Sequence, residues 1–161
     1  MVDKRSAGIL PFRAAGGADG GLQVLLGHLG GPFWARRDAG AWGVIKGEYA
    51  ADEPALDAAR REFREELGMP VPDGELIPLG EARQSGGKIV TVWALDGDLD
   101  PALAVPGTFS MEWPKGSGRI QEFPEIDRAA WLDLPQAREK ILAGQRVFLD
   151  RLAEWREAPP R

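Results

Sequence analysis

Apolar residues fall in short runs along this chain, and glycines and prolines separate the runs. Residues 6–12 (SAGILPF) and 22–26 (LQVLL) read as two strands. The stretch 15–21 (AGGADGG) is rich in residues that accept positive φ, so it joins those strands as a hairpin. Residues 27–40 form a long Gly-rich loop carrying aromatics and two arginines, and 42–45 reads as a short strand ending at Lys46-Gly47. The clearest helix is 53–67, with Asp52 as N-cap, Pro54 in the first turn and Gly68 as terminator. Segments 76–83 and 88–95 are strand-like and joined by 84–87; a loop follows over 96–106. Residues 108–113 predict another strand, broken at 114–118, and 129–134 is short and apolar. Residues 136–157 predict one long amphipathic helix with Ile141, Phe148, Leu152 and Trp155 near one face, before a frayed tail at 158–161. Strands and helices interleave without a regular βαβ rhythm, which predicts a mixed sheet with helices on both faces.

Composition narrows the possibilities. The 161 residues fit one domain spanning 1–161, long enough to bury a core. The net charge of −5 argues against a non-specific grip on nucleic acid or an anionic membrane, but not against a small anionic substrate. The absence of Cys removes disulfides, thiolate nucleophiles and Cys-ligated zinc, and one His (His28) leaves little room for a catalytic triad. His28 at a strand end reads as structural rather than catalytic. There is no apolar run of membrane-spanning length, and MVDKRSAG lacks a signal-peptide core, so a cytoplasmic protein is expected. The Gly and Pro surplus (21 and 13) is aperiodic, which excludes repeat architectures and points to many turns.

The chemistry lies in 47–69, GEYAADEPALDAARREFREELGM. On a helix, Leu56, Ala59, Phe63 and Leu67 span an arc of about 80° and form the core stripe. Glu62, Glu65 and Glu66 fall on the adjacent arc at spacings of three and four, as surface neighbours. Three such carboxylates repel one another. Glutamates on a solvated helix face are the bland reading; a hard divalent cation with a preference for oxygen ligands is the functional one. Arg61 lies between Glu53 and Glu65 in angle, so it can pair with Glu53 and hold the loop–helix junction.

The wider spacing favours function. Gly47, Glu53, Arg61-Glu62-Phe63, Glu65-Glu66 and Gly68-Met69 together resemble the signature of the Nudix hydrolases at every defined position. A chance match is on the order of one in ten million. The resemblance implies an α/β/α sandwich with a mixed sheet and a loop–helix–loop box. It also implies hydrolysis of a phosphoanhydride in a nucleoside diphosphate linked to another group. By position it makes Glu62, Glu65 and Glu66 ligands of Mg²⁺, or of Mn²⁺ as substitute, with the Gly47 carbonyl joining them. Glu53 would pair with Arg61. Attack would be by water, so no protein nucleophile is needed. The general base would be a box glutamate such as Glu65 or Glu62, or a later acid; Glu122 and Glu125 are both candidates.

Upstream, 30–34 and 40–48 resemble the substrate loop of the diadenosine-polyphosphate-hydrolase-like branch, with Ile45 where related members carry proline. This makes Lys46 a phosphate partner. Arg36, Arg37, Arg83 and Lys88 can add positive field, and Phe33 and Trp34 can stack on a base. Residues 111–118 resemble a segment of a MutT-like bacterial subgroup. The substrate expected is a dinucleoside polyphosphate such as Ap4A, the alternative a (d)NTP cleaved to NMP and pyrophosphate. A non-catalytic nucleotide-binding module is a third reading, disfavoured by the intact box. The partner is thus a small nucleotide, with no nucleic acid or membrane, in a monomer or homodimer.

Overall fold

A computed structural model describes residues 4–15 and 21–158. Its central strand is β1 (Arg5–Ala14), buried on both faces from Ser6 to Phe12. The strand is flanked in parallel by β6 (Ile89–Asp96), in register from Arg5↔Ile89 to Phe12↔Asp96. Strand β5 (Leu76–Arg83) pairs antiparallel with β6 across a 3₁₀ turn at Ser85–Gly87, as the sequence predicts.

On its other edge β1 changes partner. Phe12–Ala14 pair with β2 (Leu22–Leu29), completing the expected hairpin; Ser6–Ile9 pair with β4 (Ile45–Glu48). Pro11, which has no N–H to donate, lies between the two registers. Strand β2 continues to Leu29 and pairs with β3 (Trp42–Gly43) and with β9 (Ile126–Asp133). The expected single strand at 42–45 is therefore two short strands with different partners. The expected loop at 27–40 begins later, after Leu29. Strands β7 (Thr108–Glu112) and β8 (Ile120–Pro124) form a separate two-stranded sheet.

Helices cover both faces. Helix α1 (Ala55–Leu67) packs Ala58, Ala59, Phe63 and Leu67 against Ala7, Ile9, Leu25 and Ile45. Ala58 rather than Leu56 completes its buried stripe, and Leu56 is half-buried. Asp52 is not the N-cap. Pro54 occupies that position in extended conformation, because the residue preceding a proline is disfavoured in a helix, and so Glu53 stays outside α1. At the other end Gly68 adopts φ 65° and donates to the Arg64 carbonyl. A Cβ there would lie 2.5 Å from the Val105 carbonyl oxygen. Gly68→Ala should therefore cost about 1–3 kcal/mol in chemical denaturation; an unchanged midpoint would remove the cap argument.

The opposite face is covered by α2 (Leu134–Lys140) and α3 (Arg146–Glu157). The predicted continuous helix 136–157 is broken between them. Ile141 is extended and fully buried, it bridges to Trp42, and the Leu142 N–H donates to the Trp42 carbonyl at 2.8 Å. Sheet pairing thus outcompetes the helical pattern at that point, while Ile141, Phe148 and Leu152 still enter the core as the pattern predicts. Trp155 is partly buried and meets Phe12 edge-on at 5.7 Å. Among the described residues no helix is long and apolar enough to cross a membrane. Most of the expected turn at 15–21 and of the tail at 158–161 lies outside the described residues.

Candidate functional site

The partner change on β1 places β4 beside α1. Register pairs Ala7 with Gly47 and Gly8 with Lys46, so the loop entering the box is held by the central strand. Gly47 is required for close approach: a Cβ there would lie 1.9 Å from Glu62 Oε2. Glu62 is buried and projects from α1 onto that backbone.

Arg61 organises the acids. Its Nε and Nη2 donate to the two carboxylate oxygens of Glu53 at 2.9 Å each. Its Nη1 donates to Glu62 at 2.8 Å and reaches both oxygens of Glu65 at 3.3 Å. The expected Arg61–Glu53 pair is present, with Glu53 reaching back from before the helix. Arg61 holds the Glu53 carboxyl below its ordinary value, and Glu53 in turn holds the Arg61 guanidinium more firmly charged. Glu53→Gln should lower any metal-dependent activity roughly tenfold with little change in melting temperature, by loosening the orientation of Arg61. Parent-like kinetics would argue against that role.

Glu62, Glu65 and Glu66 line one cavity of about 480 Å³ with Glu125, Lys46 and Lys88. Burial raises Glu62, with Arg61 opposing it. Glu66 is pushed up to about 8 by burial first, then by the charges of Glu125, Glu62 and Glu65. Lys46 is lowered by burial and by Lys88, while Glu48, Glu66 and Glu62 favour its charged form. Lys88 pairs with Glu48 at 3.1 Å, and this holds the Glu48 carboxyl low. Concentrated acids facing lysines make a site for a cation together with an anion. Among the described residues no three acids or histidines are already drawn into a closed coordination group. The donor set nevertheless fits a hard divalent ion: every acid donor is oxygen, and the Glu62 carboxylate packs directly against the Gly47 backbone.

Glu125 reaches this cavity from the β8–β9 junction, where its N–H donates to the Gly107 carbonyl and its carbonyl accepts from the Gly30 N–H. Glu122 does not line it; its carboxylate accepts from the Thr108 hydroxyl across the β7–β8 pair. Phe33, Trp34, Arg36 and Arg83 line neither this cavity nor the smaller one adjoining it. Phe33 and Trp34 meet edge-on at 4.9 Å, and the Arg37 guanidinium lies 4.2 Å from the Phe33 ring centroid. Arg83 Nη1 donates to the Gly87 carbonyl. His28 is buried, with Nδ1 2.8 Å from Asp127 and Nε2 2.6 Å from the Arg37 carbonyl, so it ties β2 to its neighbours.

Ser6, Glu48 and Gln145 also line the two cavities. Sequence reading missed Ser6 and Gln145 as site residues and gave Glu48 only as the end of the 40–48 loop. Ser6 and Glu48 face each other in register on β1 and β4, which no local pattern reveals.

A family model described as a NUDIX domain matches residues 3–152. No curated protein matches the sequence. Among solved structures, a binary complex of the C. elegans Ap4A hydrolase is similar at TM-score 0.62 and 19% identity, covering 93% of this chain and 96% of that one. The NUDIX domain of Shewanella oneidensis NrtR complexed with ADP ribose is similar at TM-score 0.60 and 15% identity, covering 96% and 89%. The MutT protein from Methanosarcina mazei Go1 is similar at TM-score 0.57 and 19% identity, covering 96% of both chains.

Proposed function

The chain belongs to the NUDIX family, and on that premise we propose that it hydrolyses a dinucleoside polyphosphate of the Ap4A type at a phosphoanhydride bond, with Mg²⁺. The observation that carries this reading is the convergence of Glu62, Glu65, Glu66 and Glu125 with Lys46 on one cavity beside Gly47. Glu62, Glu65 and Glu66 would hold Mg²⁺, or Mn²⁺ in its place, with the Gly47 carbonyl. When bound, the ion supplies neutralisation of the diphosphate and activation of a water.

The chain's own groups supply the rest. Lys46 offers a point charge to a phosphate oxygen. Glu125 faces the box acids without belonging to α1, and this supports it over Glu122 as the base that takes the proton of the attacking water. Arg61 keeps Glu62 and Glu65 from splaying apart. Lys88 holds Glu48 at the cavity edge.

The test is a nucleotide panel (Ap4A, NTPs, ADP-ribose, NDP-sugars) with Mg²⁺ and mass-identified products. ATP plus AMP from Ap4A is expected. NMP plus pyrophosphate from an NTP would replace the substrate with the MutT-type alternative. No turnover of any compound would leave only a binding module.

A further inference from the structure

His28 is the chain's only histidine, it is fully buried, and the reaction proposed above does not use it. Both ring nitrogens face oxygens. Nδ1 lies 2.8 Å from Asp127 Oδ1, and Nε2 lies 2.6 Å from the Arg37 carbonyl oxygen. A carbonyl and a carboxylate can only accept, and a neutral imidazole has one N–H to give. One of the two contacts would then set a lone pair against a lone pair inside the fold. The Asp127 side chain is 30% exposed, which favours its ionised form over a carboxylic acid that would donate to the ring. Other charges surround the ring. Arg128 stands opposite His28 in the β2–β9 register, with its guanidinium 5.1 Å from the Trp42 ring, which His28 meets edge-on at 5.2 Å. Lys140 of α2 reaches the same Trp42 ring and pairs with Asp38 at 3.0 Å; the Arg37 guanidinium turns to Phe33. Among the described residues the charge in hydrogen-bond contact with the ring is Asp127. Asp127 is also the extra residue of a β-bulge, because His28 pairs with Arg128 and Leu29 with Ile126. A bulge re-aims the side chains beside it, and a shift of one residue would reverse the face that each takes. Glu125 lies just before this bulge. Its carbonyl accepts from the Gly30 N–H at 3.0 Å, at the start of the loop that Arg37 closes onto His28.

We propose that His28 carries a proton on both ring nitrogens and that this buried imidazolium is a positioning residue for Glu125. It holds the Asp127 bulge with one N–H and the 30–37 loop with the other, and so keeps Glu125 turned into the acid cavity. Loss of either proton breaks one of the two bonds and frees one of the two segments that fix Glu125. The use of Glu125 as a base rests on the phosphoanhydride reading; the charge on His28 and its hold on the segment do not.

A single histidine makes the test direct, since its ring ¹⁵N signals have no rivals. Long-range ¹H–¹⁵N NMR of the full chain at neutral pH is expected to show a proton on both nitrogens. Raising the pH should convert the ring to its one-proton form, and the backbone amide signals of Gly30 and Glu125 should move along the same titration curve. Asp127→Asn supplies a side-chain amide that can donate to a bare Nδ1 while Nε2–H keeps the Arg37 carbonyl. In that variant the ring is expected to carry one proton at neutral pH, and the joint movement of the Gly30 and Glu125 signals should be lost while the chain stays folded. A merely space-filling histidine would give none of these effects. A bare ring nitrogen in the parent at neutral pH, Gly30 and Glu125 signals indifferent to the ring's titration, or a pH response in Asp127→Asn equal to the parent's overturns the proposal. A doubly protonated ring without hydrolysis in the product panel would remove the enzymatic reading alone; hydrolysis with a one-proton ring would remove this one alone.

Discussion

Glu66→Gln is expected to lower nucleotide hydrolysis about a thousandfold while leaving the metal-free protein as stable as its parent or slightly more so. Glu66 lines both cavities and is the box acid most strongly raised, by burial and by Glu125, Glu62 and Glu65. A ligand to a catalytic cation contributes several kcal/mol of transition-state stabilisation, and about 4 kcal/mol corresponds to a thousandfold in rate. The stability effect has the opposite sign. An acid raised in the folded state costs stability as the pH climbs above its ordinary carboxylate value, where the unfolded chain ionises it, and the cost is complete above about 8, so a neutral isostere removes that cost. Partial solvent exposure screens that gain, which is expected as a rise of no more than a few degrees in melting temperature. Added Mg²⁺ should raise the melting point of the parent and do so less in the variant. Calorimetry with and without Mg²⁺, beside kcat/KM, checks both signs. Activity within tenfold of the parent, or a large fall in metal-free stability, would refute the assignment of Glu66.

Gly47→Ala is expected to inactivate the enzyme and destabilise it by about 1–3 kcal/mol. The new methyl would lie 1.9 Å from Glu62 Oε2 and 2.0 Å from its carboxylate carbon. Glu62 cannot yield freely, because it is buried and held by Arg61 at 2.8 Å. The box must therefore open or Glu62 must swing off its partner. Gly47→Ala combined with Glu62→Ala should recover at least about 0.5 kcal/mol relative to the sum of the single changes, without restoring activity. Strictly additive denaturation midpoints would show that the clash is not the source. The pairing also explains a glycine whose φ is ordinary: the constraint is approach, not backbone conformation.

Much of the box was legible because its constraints are local. Glu62, Glu65 and Glu66 share a helix face by period alone, and Arg61 reaches Glu53 within eight residues. Even there one proline altered the detail. Pro54 ends the extended segment and frees Glu53 to fold back, where helix periodicity had placed it inside α1. The break at Ile141 shows the opposite limit: the apolar spacing over 136–157 identifies the buried residues, but a sheet bridge to Trp42, a hundred residues away in sequence, takes one of them out of the helix.

Glu122 and Glu125 show where reading the chain stops. Both are acids a few residues apart on one segment, and local sequence offers no ground for choosing. The β7–β8 register turns Glu122 toward Thr108, and the anchored β8–β9 junction turns Glu125 toward Glu66. Gln145 is still less visible. It lines the smaller cavity because its Oε1 accepts from the Val44 N–H across the fold, a pairing that no local pattern reveals. The sequence by itself determined the acid box and its likeness to a hydrolase family, because helix geometry repeats within a few residues. The tertiary structure decided which distant groups complete the cavities. One edge of β1 serves two partners in turn, and that choice depends on burial across the whole sheet rather than on any local pattern.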